Sequence, residues 1–391
     1  MAAVLAPVIP VLLIVQSRAY FGQVSDLPHF YAAARLILAG QGAQIYNVDI
    51  LGAAEHQLFP EMGQRVVRMH MPPLAVPLLV PLGMLPVGVV DGVWTTTLVL
   101  ALVASVVALK RIFALSAIQA LWLSAVLSIW GPAFEAVRIG QLAPLQLLAL
   151  SLAVGGFRKG QDLLAGLLLS ILLLKPQQLI PLAVYLIGCR RYRAIAALVA
   201  SSAVLAVLSL VLFGPGAYQT YFGQLAGSVE QSIWLQPELN PTFRGQLLRI
   251  FPYARTAVAM VSFALAVVAL AAIFMVGRTR GKTARWLEAG LIAALPLGLI
   301  TSLHCHDYDL LLLLPTVAAL LKQARTTRLP PWLPALSMIC LLPYLLPVYT
   351  IVHNDYVLAG AVINPLFLSL LTMTCILEAM ELDVGQDSPK D

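Results

Sequence analysis

The chain has 391 residues, of which 60% are hydrophobic and 11% charged, against roughly 25% charged in an ordinary soluble domain; a water-soluble globule is excluded. A formal net charge of +6 does not mark a nucleic-acid partner, because the basic residues cluster in short connections: Lys110-Arg111, Arg158-Lys159, Arg190-Arg191 with Arg193, Arg278 to Arg285, and Lys322 to Arg328. Short loops rich in Lys and Arg mark the cytoplasmic side of a membrane protein, so the excess reports topology. Between them lie apolar runs of about 17–25 residues, the length that crosses a hydrocarbon core as helix. No period-two alternation suggests a barrel. The expected fold is therefore an all-α, polytopic membrane bundle of about ten to twelve segments. Residues 1–380 read as one transmembrane domain and 381–391 as a polar, disordered tail.

In chain order, residues 2–15 read as a retained first helix that delivers the chain to the outer face. In the long outer segment that follows, Phe30, Ala33, Ala34, Ile37 and Leu38 fall at helical spacing, and Gly40 ends the pattern. This predicts an amphipathic helix lying on the membrane surface with its stripe toward lipid or the bundle. Prolines 72, 73, 77, 81 and 86 deny residues 70–86 a clean spanning helix, since each removes a backbone donor and kinks the chain. A short or re-entrant piece there keeps Lys110-Arg111 inside with the other basic clusters. Helices follow at 113–130 and 141–156. Residues 162–188, bounded by two inner basic clusters, must form a hairpin with Lys175 at its tip, where a lone ammonium needs an anion or a water-filled pocket. Further helices are expected at 194–213, 256–277, 286–300, 310–321, 332–349 and 357–380.

This threading puts all six histidines, His29, His56, His70, His304, His306 and His353, on the outer face with Asp26, Lys175, Arg138 and Arg244. The stretch Thr301 to Asp309, TSLHCHDYD, sets two histidines and two aspartates between apolar runs, where ionisable groups are costly and usually functional. Asp307-Tyr308-Asp309 also spells the D-x-D of nucleotide-sugar transferases, a short signal on the wrong face for a nucleotide donor. Cys189, Cys305, Cys340 and Cys375 lack zinc or redox spacing and read as small apolar residues. Chemistry on this face has no cytoplasmic nucleotide sugar at hand, so an activated donor has to arrive in the lipid phase.

At this point the sequence resembles the GT-C class of integral-membrane glycosyltransferases, and most closely glycosyltransferase family 87. The resemblance rests on Asp26 followed by FYAAARLILAGQGAQIYN, MPPLAVPLLVPLGMLP, Ile139-Gly140-Gln141, LLLKP at 172–176, NPTFRG at 240–245 and SLHCHDYDLLLLLP at 302–315, in the family's order. It implies an inverting transferase with no cofactor and no metal. The implied donor is a polyprenyl-phosphate sugar, mannose first, with arabinofuranose and glucose as alternatives, and the implied acceptor is a hydroxyl of a glycolipid or glycan. Asp26 matches the acidic residue taken as catalytic base, with helix capping as its alternative. One of His304 and His306 would support acceptor or phosphate, neutral to orient a hydroxyl or protonated to bind an anion. Lys175 and Arg244, then Arg138, are the phosphate candidates, against snorkelling or loop ion pairs, and Gln141, Tyr31 and Asp307 are expected to line the substrate. Tyr31, Tyr46, Trp234, Tyr253 and Tyr308 could face a sugar, although interfacial anchoring explains most of them. The expected location is a bacterial inner membrane with an extracytoplasmic site. The competing readings are a flippase of a lipid-linked sugar and a non-catalytic protein of the same fold; the absence of internal repeats speaks against the flippase.

Overall fold

A computed structural model describes residues 25–62, 68–231, 240–282 and 286–323. The expected helices at 2–15, 332–349 and 357–380, the tail, His353, Trp234, Cys340 and Cys375 lie outside these residues. Within them the fold is all-helical.

Helix α1 (Leu27–Leu38) begins at Asp26 with Pro28 in its first turn, where a proline costs no hydrogen bond. Gly40, at φ +75°, turns the chain out of it. The expected surface helix is in fact enclosed: apart from Arg35 and Leu38 its residues are buried. What encloses it is α2 (Val48–Leu58), started by the Asn47 side chain, and the proline-rich run. That run, Pro73–Met84, is a 3-10 helix rather than an α-helix. Its two ends are tied to the same group of elements, for Tyr46 donates to the Met71 carbonyl at 2.6 Å while Arg35 and Tyr31 donate to Gly83 and Leu85 at 3.3 and 2.7 Å. At 12 residues it is shorter than the helices able to cross a membrane.

Helix α3 (Val87–Phe113) then runs the full depth and delivers Lys110-Arg111. After α4 (Ala117–Ile129), capped by Ser116, and α5 (Gly131–Arg138), the chain bends by 119° into α6 (Ala143–Arg158). The expected hairpin follows. Its first arm is α7 (Asp162–Leu169) continued by a 3-10 turn, Ser170–Leu174; Lys175 breaks the helix at φ −139°, ψ 85°, and α8 (Pro176–Gly188) returns. Helix α9 (Tyr192–Gln231) is broken at Gly214, φ 72°, ahead of Pro215, and continues beyond the expected end at 213. The remaining elements are α10 (Phe243–Ile250), α11 (Arg255–Arg280), α12 (Trp286–Thr301), a 3-10 segment (Asp307–Leu313) and α13 (Leu314–Gln323).

Among the described residues three helices are long and apolar enough to cross a membrane, α3, 192–225 of α9, and α11, or four if the bent α5–α6 pair is one span. Ten to twelve segments are thus not reached within the described part. Val204, Val207 and Val211 on α9 and Met260, Phe263 and Val268 on α11 are exposed, a surface that suits lipid and not water. Helices α8 and α11 approach so closely at Gly188 and Gly277 that a Cβ on either would lie 2.5–2.6 Å from the other helix's backbone, the small-residue packing membrane helices use.

The basic clusters gather at one end. Arg158 pairs with Glu288, which Lys322 also approaches at 4.0 Å. The Arg158 guanidinium lies 5.0 Å from the Phe113 ring, and that of Arg191 4.0 Å from the Trp286 ring. Lys110-Arg111, at the end of α3 beside Phe113, therefore sits with the rest of the basic end, as the proline-rich reading requires.

Candidate active site

At the opposite end, the turn between α5 and α6 is shaped around Asp26. Gly140 adopts φ +71°, and a Cβ there would meet Ser25 Oγ at 3.2 Å and Leu27 Cβ and Trp94 Nε1 at 3.4 Å, so glycine serves both the left-handed backbone and the close approach. The Trp94 indole donates to the Gly140 carbonyl at 2.9 Å, and the Asp26 backbone N–H donates to Ile139 O at 2.7 Å. The Gln141 amide then donates to Asp26 Oδ2. Asp26 caps no helix N–H with its side chain and is half-buried; its carboxylate is held from the side by the turn.

The second half of the site comes from the far end of the chain. The segment Asp307–Leu313 packs against α5 and α6, which bring it beside the Asp26 turn. Lys175, at the hairpin tip, donates from Nζ to Asp309 Oδ1 at 2.6 Å and lies 4.3 Å from the Tyr308 ring centre. The other carboxylate oxygen, Oδ2, accepts the His306 backbone N–H at 3.0 Å. Stacking continues the tie, with the His306 ring 5.0 Å from Tyr308 and 4.5 Å from His304. Arg244, in the first turn of α10, donates from Nη1 to Leu303 O at 3.2 Å, while its buried Nε has no protein partner.

Electrostatics joins the halves. Asp26 lies within range of Tyr308 and of His70, and His70 is in turn within range of His29 and His304. Burial and the Lys175 ammonium, opposed by Asp309, lower the His304 pKa to about 4. His306 is pushed well below its ordinary value by burial, then by His304 and Lys175. Desolvation penalises the charged form, so these imidazoles are neutral near pH 7. Burial also lowers the Arg244 guanidinium.

Other expected site residues are occupied within the fold. The Tyr31 hydroxyl is taken by Leu85 O and its ring packs edge-on at 5.6 Å against Phe59, which gives it a packing role instead of a sugar face. Arg138 forms a two-pronged pair with Glu135 at 2.6 and 2.8 Å, one turn back on its own helix. Buried Asp307 accepts the Tyr308 N–H at 2.8 Å and starts the 3-10 segment. Gln141 faces Asp26. Sequence reasoning overlooked Asp309 as the anion for Lys175, and it overlooked His70 and His29. His29 had a legible signal, since it stands three residues after Asp26 at the start of the same helix.

Among the described residues no cluster of three or more His, Cys, Asp and Glu has the arrangement of a metal site.

A carboxylate, imidazoles and two cations gather at one end of an all-helical bundle with three or four candidate membrane spans among the described residues. Residues 70–302, more than half of the chain, match the sequence model of Glycosyltransferase family 87, and the chain belongs to that family. It is a glycosyltransferase. The match begins at His70 and ends just before His304; it contains Lys175, Arg138, Gln141 and Arg244 but neither Asp26 nor the His304–Asp309 stretch. A search of curated proteins returns no match.

Proposed function

We propose that the protein is an inverting glycosyltransferase that moves a sugar, mannose first, from a polyprenyl phosphate to a hydroxyl of a glycolipid or glycan acceptor. The observation that carries this reading is the Asp26 carboxylate, half-buried, fixed by Gln141, and in electrostatic range of Tyr308 and His70. In the proposed step the acceptor oxygen attacks the anomeric carbon as the bond to the phosphate oxygen breaks. The bonding pair leaves with the phosphate, and the acceptor proton passes to Asp26 as general base. Inversion follows from attack opposite the leaving group.

Lys175 and Arg244 supply positive charge for the departing phosphate, in surroundings where fixed charge is worth more than in water. Lys175 is oriented by Asp309 and keeps two further N–H donors; Arg244 keeps its Nε. His304, held neutral, orients the acceptor hydroxyl by hydrogen bonding and does not bind phosphate as a cation. The exposed apolar faces of α9 and α11 suit a donor and acceptor arriving through lipid. The separation of the site from the basic end supports an extracytoplasmic site, in a bacterial inner membrane.

Purified protein supplied with a radiolabelled polyprenyl-phosphate sugar and glycolipid acceptors tests the reading. Labelled glycolipid is expected from wild type and is expected to vanish with Asp26→Ala and Asp26→Asn. Undiminished transfer by both variants would refute Asp26 as the base; an intact donor moved between leaflets would point to the flippase instead.

A further inference from the structure

Two glutamines stand in the first turns of α6 and α8, and neither was identified from the sequence. Gln146 is fully buried, with no part of its surface exposed, and Gln178 is 5% exposed. Neither the oxygen nor the nitrogen of either carboxamide has a partner in the protein. A buried amide with its hydrogen bonds unmade costs about 1–3 kcal/mol, so packing alone does not account for two of them.

Both stand on helices that line one cavity. An apolar cavity between α6, α8 and α12 is lined by Leu150 and Val154 from α6 and by Leu182 and Leu186 from α8. Gln146 stands four residues before Leu150 and Gln178 four before Leu182, so each occupies the same helix face one turn nearer the N-terminus. Both helices start at the site end, α6 at the turn that holds Asp26 and α8 at Lys175. Because helical side chains lean toward the N-terminus, both carboxamides lean up from the cavity toward the site.

We infer that Gln146 and Gln178 form the floor of the donor subsite and read hydroxyls of the transferred sugar ring. A carboxamide offers donors and an acceptor side by side, the complement of hydroxyls that both give and take hydrogen bonds. The phosphate is served by the cations above, and the polyprenyl chain has no use for an amide, which leaves the sugar as the donor's matching part. The inference rests on the proposed function for the identity of the donor.

The test pairs Gln146→Met and Gln178→Met, similar in volume and apolar, with donors lacking one ring hydroxyl at a time. Wild type is expected to lose roughly 10–100-fold in kcat/KM when the hydroxyl read by a glutamine is missing. Each Met variant should show that loss with the complete donor and no further loss with the matching deoxy donor. Thermal stability of the variants without donor should be unchanged or higher, because an amide without internal bonds has been removed. Equal discrimination of deoxy donors by wild type and both variants would overturn the inference, as would variants that lose stability yet keep their kinetics.

Thermal shift with the same donor separates this from the reaction itself. A wild type that transfers nothing, but is stabilised by the complete donor in a way the double Met variant is not, removes the transfer reading and keeps the floor. A wild type that shows neither transfer nor stabilisation overturns both.

Discussion

The pair between Lys175 and Asp309 allows a sharp stability test. At an N···O distance of 2.6 Å and an effective dielectric near 20, the gross attraction is about 6 kcal/mol, much of it cancelled by desolvation. Removing one partner of a buried pair costs about 3–5 kcal/mol, because the survivor is left charged and alone. The two single variants should differ. Asp309 keeps 1% of its side-chain surface and Lys175 keeps 17%, so Lys175→Met strands a carboxylate that cannot reach water, whereas Asp309→Leu leaves an ammonium that can move toward it. The expected order of stability is wild type, then Asp309→Leu, then Lys175→Met, with the double variant Lys175→Met/Asp309→Leu recovering most of the loss. Equilibrium unfolding of purified protein in mixed micelles measures all four. Additive losses in the double variant, or single variants as stable as wild type, would refute the reasoning.

Asp26→Asn should fold normally and lower kcat by roughly 10²–10⁴, measured as initial transfer rate beside a thermal melt. Arg138→Gln should change kcat less than about threefold in the same assay, since its guanidinium is bound by Glu135 on its own helix, while a melt should show a loss of stability because only 14% and 13% of the two side chains are exposed. Gly140→Ala should destabilise by about 1–2 kcal/mol through its left-handed backbone, and should lower transfer by displacing the turn under Asp26; a melt and a rate measure both. His304 has a folded-state pKa of about 4, below the ordinary value near 6.5. The unfolded chain therefore takes up protons first as pH falls. Its contribution to stability is complete above about pH 6.5 and is lost progressively toward pH 4. Transfer should accordingly show no acid limb centred near 6.5, and a limb there would place a titrating histidine in the reaction.

Much of this layout was legible in the sequence, and what was not had physical causes. The hairpin could be read because two basic clusters bound an apolar run too short to cross twice at full depth, with a lysine and a proline at its centre. The grouping of Lys110-Arg111 with the other basic residues was legible from charge too, and Phe113 beside Arg158 bears it out. Tyr31 was ambiguous because an aromatic on an amphipathic stripe looks alike whether it faces a sugar or a neighbour; in the fold its hydroxyl donates to the Leu85 carbonyl. The Lys175–Asp309 pair spans 134 positions, and no local pattern announces a contact at that separation. Gln146 and Gln178 look like ordinary polar residues near helix starts until burial shows that water does not reach them.

The short hairpin has a further consequence. Its arms, Asp162–Leu174 and Pro176–Gly188, measure about 20 Å each by helical rise, while a hydrocarbon slab is about 30 Å thick. Under the proposed topology, with the hairpin's base at one face of such a slab, the lysine at its apex lies some 10 Å short of the opposite face. An acceptor has to lower its hydroxyl to that depth, which a headgroup on a pliant stalk can do and a stiff, bulky one cannot. Reach would rank the acceptors before any contact is made.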